Sequence, residues 1–209
     1  MAIEEAFSSS FGRRDQGPNR ALAKDIVTRQ DFEAITELFE VLARKSSVRV
    51  HNDAVLTIAA ISSEAPQMLT AHVSELMQLL KANINRQVFG AMIALANLSS
   101  LVPEQMSEHL GLIMASMDKG TVVTRDHGFT ILTQIYKVDK SGDLLPLILE
   151  QLMKAPPNQI GQYTEKFISV MDYTHRDELS AVLQERLNEL DAPNHQARIR
   201  KSLLKISKT

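Results

Sequence analysis

From about residue 20 onward, apolar residues recur at three- and four-residue spacings, the period of helices that bury one face. Asp31 precedes Phe32, Ile35, Leu38, Phe39 and Leu42. That spacing predicts a helix capped by Asp31, with Arg44 and Lys45 in its last turn, where cations suit the helix dipole. Leu22, Ile26 and Val27 predict a short helix before it. Val48–Ser62 places Val55, Ile58 and Ile61 on one face, with small Ala54 and Ala59 for close approach. Pro66–Ala82 follows with Leu69, Val73, Leu76, Met77 and Leu80. Proline in a first turn costs little, because its missing N–H has no partner inside the helix, so Pro66 reads as a helix start. The same alternation continues through Asn85–Ser99 and Pro103–Met117. A further pair begins around Gly128, Leu132 and Ile135. Lys137–Gly142 lengthens its turn, and Asp143 is expected to cap a helix with Pro146 in the first turn. Gln159–Met171, Arg176–Leu190 and a segment opened by Pro193 complete the series. Strand-like alternation is confined to Val48-Arg49-Val50, so strands are not expected.

Residues 54–77 recur at 91–114, a shift of 37 positions. Ala54 returns as Ala91, Pro66 as Pro103, His72 as His109, Met77 as Met114, and upstream Arg49 as Arg86. Such self-similarity marks one folding unit copied along the chain. The expected fold is all-α: a right-handed α-α superhelix of about five stacked helix pairs plus a terminal helix. A single packed bundle is the alternative, but it has no need of a fixed register. The pairs fall at 20–45, 48–82, 85–118, 121–154 and 158–190, with a cap helix at 194–207, forming one domain over 20–209. Residues 1–19 lack a helical period and are expected to be a flexible N-terminal arm. Alternatively, Phe7 and Phe11 pack on the first repeat and leave Arg13-Arg14 as a basic handle.

The series Arg49…Ala54…Ile58…Ile61…Pro66 and its copy Arg86…Ala91…Leu95…Leu98…Pro103 resembles HEAT and armadillo-type repeats. The resemblance covers about residues 48–155 clearly and both flanks loosely. It implies a curved stack whose inner face, made by the second helices, binds proteins. Architecture alone does not fix function.

Composition narrows the classes. Hydrophobic residues make up 44% and charged residues 23% of 209, as in ordinary globular proteins. The absence of cysteine removes disulfides, thiolate metal sites and a cysteine nucleophile, and mildly favours a reducing compartment. A net charge of −2 supplies no overall attraction to nucleic acid or membrane. Glu4 and Glu5 argue against a signal peptide. No apolar stretch approaches the ~20 residues of a membrane helix. A soluble, cytoplasmic protein is expected, either a monomer or a subunit of a larger complex.

No catalytic constellation, metal site or cofactor motif stands out. The six histidines include no i, i+4 pair, and the glycines form no phosphate loop. His72 and His109, at equivalent repeat positions, read as a shared packing or capping role ahead of a shared metal site. A HEAT-like DNA glycosylase would need a basic groove and stacking aromatics, and the chain has no Trp. Charge is more informative. The second helices at 103–118, 143–154 and 176–191 lean acidic, while the run Arg198, Arg200, Lys201, Lys205, Lys208 is basic. An acidic inner surface would favour a basic partner segment. The leading expectation is therefore a non-enzymatic protein-binding adaptor. Its candidate binding residues are Glu75, Gln78, Glu104, Glu108, His109 and Glu150, with no catalytic, metal or cofactor site. The competing expectation, nucleic-acid binding, would use Arg13, Arg14, Arg49, Arg86, Arg125 and the C-terminal basic run.

Overall fold

A computed structural model of the chain describes residues 2–139 and 143–208. Every regular element among them is helical: α1 (Gly17–Arg29), α2 (Phe32–Ala43), α3 (Val48–Glu64), α4 (Val73–Leu79), α5 (Asn85–Leu98), α6 (Pro103–Glu108), α7 (Leu110–Lys119), α8 (Val122–Val138), α9 (Leu145–Lys154), α10 (Ile160–Ile168), α11 (Arg176–Glu189) and α12 (Pro193–Ser207), with 3-10 segments at Ile3–Ala6, Pro66–His72 and Tyr173–His175. None is long and apolar enough to cross a membrane. The elements group into two compact units, Met1–Gly128 and Phe129–Thr209. The break lies inside α8 and not at a Pro- or Gly-rich linker.

In the first unit, α1, α3 and α5 pack on one another as one layer, and α2 and α4 pack onto α3 and α5. The fully buried Ala54, Ala91, Ile58 and Leu95 are repeat-equivalent core positions of α3 and α5. Gly128 in α8 is a forced choice, since a Cβ there would lie 2.3 Å from Met117 Cγ. In the second unit, α9 packs with α10 and α11, and both of these pack on α12. Phe129 stacks on Tyr163 at 4.4 Å, and Tyr136 meets Phe167 edge-on at 5.1 Å, so four of the unit's large rings are paired.

Several local expectations change. The second helices of the two clearest repeats are not continuous. Pro66–His72 is a 3-10 turn leading into α4, and Pro103–Lys119 divides into α6 and α7. The divisions fall at His72 (φ −111°, ψ 19°) and His109 (φ −109°, ψ 16°), both outside the helical region. His72 makes two side-chain contacts at its junction. Its ring lies flat on Phe39, with centroids 4.2 Å apart, while Nδ1 sits 3.1 Å from Glu75 Oε1. His175 (φ −97°, ψ 15°) occupies the same kind of junction before α11. Leu144, not Asp143, holds the N-cap position of α9, with no side-chain cap bond. The lengthened turn foreseen at 137–142 lies partly outside the described residues.

The N-terminal segment is packed where a loose arm was foreseen. Phe7 is fully buried, Ile3 N–H donates to Glu37 at 2.9 Å, and Glu4 pairs with Arg44 at 2.8 Å. Phe11, foreseen beside Phe7, is instead 62% exposed, and α1 begins earlier, at Gly17.

Candidate functional site

The acidic candidates are all at the surface. Glu75 and Gln78 lie on α4 and Glu104 and Glu108 on α6. The half-buried His109 marks the junction of α6 and α7, and Glu150 lies on α9 in the second unit. Three are engaged by neighbours on their own helix or turn. Glu75 meets His72, Gln78 accepts from Lys81 Nζ at 3.0 Å, and Glu150 pairs with Lys154 at 2.5 Å. Among the described residues, Glu104 and Glu108 make no ion pair or side-chain hydrogen bond, although they sit one turn apart with like charge. In the first unit the close-packed layer is built from first helices, and the second helices bearing these residues pack against it.

The arginines behave differently. Arg49 occupies the second position of α3 and Arg86 the second position of α5, because the 37-residue shift repeats the helix start as well as its core. The packed N-terminal segment brings Arg13 and Arg14 to the same place. Together they line a half-open cavity of about 390 Å³ with Ser8, Ser9, Asn52 and Asp53. The cavity floor is a polar network. Asp53, only 6% exposed, accepts from Asn19 Nδ2 at 2.8 Å and from Ser9 N–H at 2.9 Å, while Ser8 N–H donates to Asn19 Oδ1 at 2.9 Å. These bonds tie the N-terminal segment to α1 and α3 and occupy both oxygens of the one carboxylate lining the cavity. Arg13 pairs with Asp15 at 2.8 Å, which raises the guanidinium pKa and lowers that of the carboxyl through their hydrogen bond. Among the described residues, Arg14, Arg49 and Arg86 have neither an ion pair nor a side-chain hydrogen bond.

The remaining basic candidates stand apart. Arg125 Nε donates to Met117 O at 3.1 Å and so closes the end of α7. Arg198 forms a two-pronged pair with Glu165 at 2.8 and 2.6 Å, joining α12 to α10. Lys201, Lys205 and Lys208 surround a separate hollow beside exposed Leu204. Among the described residues, no group of three or more His, Asp or Glu side chains is placed to hold a metal ion. The repeat register flagged Arg49 and Arg86. Nothing in the local pattern flagged Ser8, Asn19, Asn52 or Asp53, whose roles depend on where the N-terminal segment docks.

No protein-family model matches the chain, and no curated protein matches it. Solved structures do. A designed armadillo repeat protein, YIII(Dq)4CqI, is 16% identical with a TM-score of 0.64 over 99% of this chain and 100% of that one. A related design, YIII(Dq.V1)4CPAF, in complex with the peptide (KR)4, is 17% identical with a TM-score of 0.66 over 99% of both chains. The archaeal HEAT-like repeats protein from Thermococcus onnurineus NA1 is 13% identical with a TM-score of 0.52 over 93% of this chain and 97% of that one. At such identities the likeness is one of fold, and the fold of this chain is an all-α stack of armadillo- and HEAT-type helical repeats.

Proposed function

We propose that the chain is a non-enzymatic scaffold that binds a Lys/Arg-rich segment of a partner protein along the polar face of its second helices. The observation that carries this reading is the exposed pair Glu104 and Glu108 on α6, unpaired and one turn apart. Like charges at this spacing destabilise a helix by roughly 0.2–0.5 kcal/mol. Cations from a partner would offset that cost and gain charge-assisted hydrogen bonds. Glu75, Gln78 and His109 extend the proposed recognition surface within the first unit, and Glu150 is a separate acidic candidate on the second. The fold supports the reading, since one structurally similar design is in complex with the basic peptide (KR)4.

The test is a fluorescence-anisotropy titration with a labelled alternating Lys/Arg peptide. Binding should weaken with added salt, and Glu104→Lys with Glu108→Lys should reduce affinity by about tenfold or more. An affinity indifferent to both substitutions, or no saturable binding, would sink the proposal.

A further inference from the structure

We infer that the arginine cavity at the first turns of α3 and α5 is a binding site for a phosphorylated small molecule. Four guanidinium groups (Arg13, Arg14, Arg49 and Arg86) line it against one carboxylate, Asp53, whose two oxygens already accept bonds from the floor. Among the described residues only Arg13 of the four is ion-paired, and with Asp15 and Asp53 counted against the four arginines the site stays net positive.

The placement of two of these arginines is costly without an occupant. Arg49 and Arg86 sit in the first turns of helices, where the dipole disfavours cations. The repeat brings them to the same cavity, so their mutual repulsion adds to that cost. An anion reverses both terms. It is attracted by the helix starts and by guanidinium forks that match phosphate oxygens two at a time. The α5 start has no side-chain cap; Gln87 N–H donates to Ile84 O at 2.9 Å, which leaves the Asn85 and Arg86 N–H groups for an anion.

A second, independent observation is the uncommitted buried polar atoms at the same place. Ser8 is 2% exposed and lines the cavity, yet its Oγ has no hydrogen-bond partner. Ser9 Oγ and Asn52 Oδ1, also on the lining, are buried without partners. A buried hydroxyl left unpaired is unfavourable, because it has lost its water without gaining a partner. The Ser8 and Ser9 hydroxyls are closed to solvent as they stand, so donating to a phosphate oxygen requires their side chains to turn toward the cavity, and Asn52 can present its Nδ2 by an amide flip. The 390 Å³ volume exceeds what inorganic phosphate fills and lies within the range of small-molecule sites. The phosphate would sit against Arg49 and Arg86, with the rest of the ligand toward Arg14.

Isothermal titration of the full chain with pyrophosphate and with AMP tests the assignment. Saturable one-to-one binding is expected for at least one of them. Arg49→Gln combined with Arg86→Gln should weaken it by about tenfold or more, and Ser8→Ala should weaken it less. Arg200→Gln, which removes the same kind of charge from α12, should leave the affinity unchanged. Since Arg49 and Arg86 make no side-chain bonds, the double variant should keep the wild-type circular dichroism spectrum. Three results would overturn the inference. One is no saturable binding at millimolar ligand. Another is equal binding by the double variant. The third is steeply salt-dependent binding of a single-stranded oligonucleotide without any response to pyrophosphate or AMP, which would reassign the arginines to a nucleic-acid surface.

Discussion

Gln30 closes α1 in the left-handed region, with φ 52° and ψ 45°. A residue with a Cβ is strained there by roughly 1–2 kcal/mol, which glycine avoids at the expense of greater chain entropy. Gln30→Gly should therefore raise stability by about 0.5–1 kcal/mol in urea unfolding. Gly128 is the opposite case. With Met117 Cγ 2.3 Å from the position of an added Cβ, Gly128→Ala should lower stability by about 1–3 kcal/mol in the same assay. Asp31 was readable from sequence because capping is local, and its carboxylate accepts from Ala34 N–H at 2.9 Å. Phe32 was not. It continues the apolar period yet is 57% exposed, because periodicity identifies a face but not where the neighbouring element stops covering it.

Helices were legible because the apolar period acts within short segments of chain. The breaks at His72 and His109 were not, since a stacking partner such as Phe39 lies outside the local window. Contacts between elements also set the pH response of the C-terminal end. Arg198 crosses Gly161, where a Cβ would lie 2.4 Å from its Cδ, to reach Glu165 on α10. That hydrogen bond holds the Glu165 carboxyl below its ordinary pKa, helped by the charges of Arg198, Lys201 and Lys205. A carboxyl lowered on folding contributes stability above its unfolded pKa, near 4.3, and loses it as pH falls through the lower folded value. Glu165→Gln should thus destabilise at pH 7, by no more than about 1 kcal/mol for so exposed a pair. The difference between variant and wild-type melting temperatures should shrink toward zero as pH drops to about 3.

At the scale of the whole molecule, stability is a sum of neighbouring interfaces. Local damage should therefore stay local. Phe7→Ala empties a fully buried position and should cost about 3–5 kcal/mol. Because the Ile3–Ala6 turn packs on α1 and α2, amide exchange should rise in those helices first, while α10–α12 keep wild-type rates. Equal acceleration throughout would show instead that the molecule unfolds as one cooperative body. From the sequence alone came the all-α class and the 37-residue copy, because period, proline starts and caps are written in short stretches of chain. Only the tertiary structure decided that the N-terminal segment docks, that first helices form the close-packed layer, and that Ser8, Arg49 and Arg86 line one cavity. Those outcomes depend on how separate segments stack and on which polar groups the stacking leaves unpaired, and neither is encoded in any single window of residues.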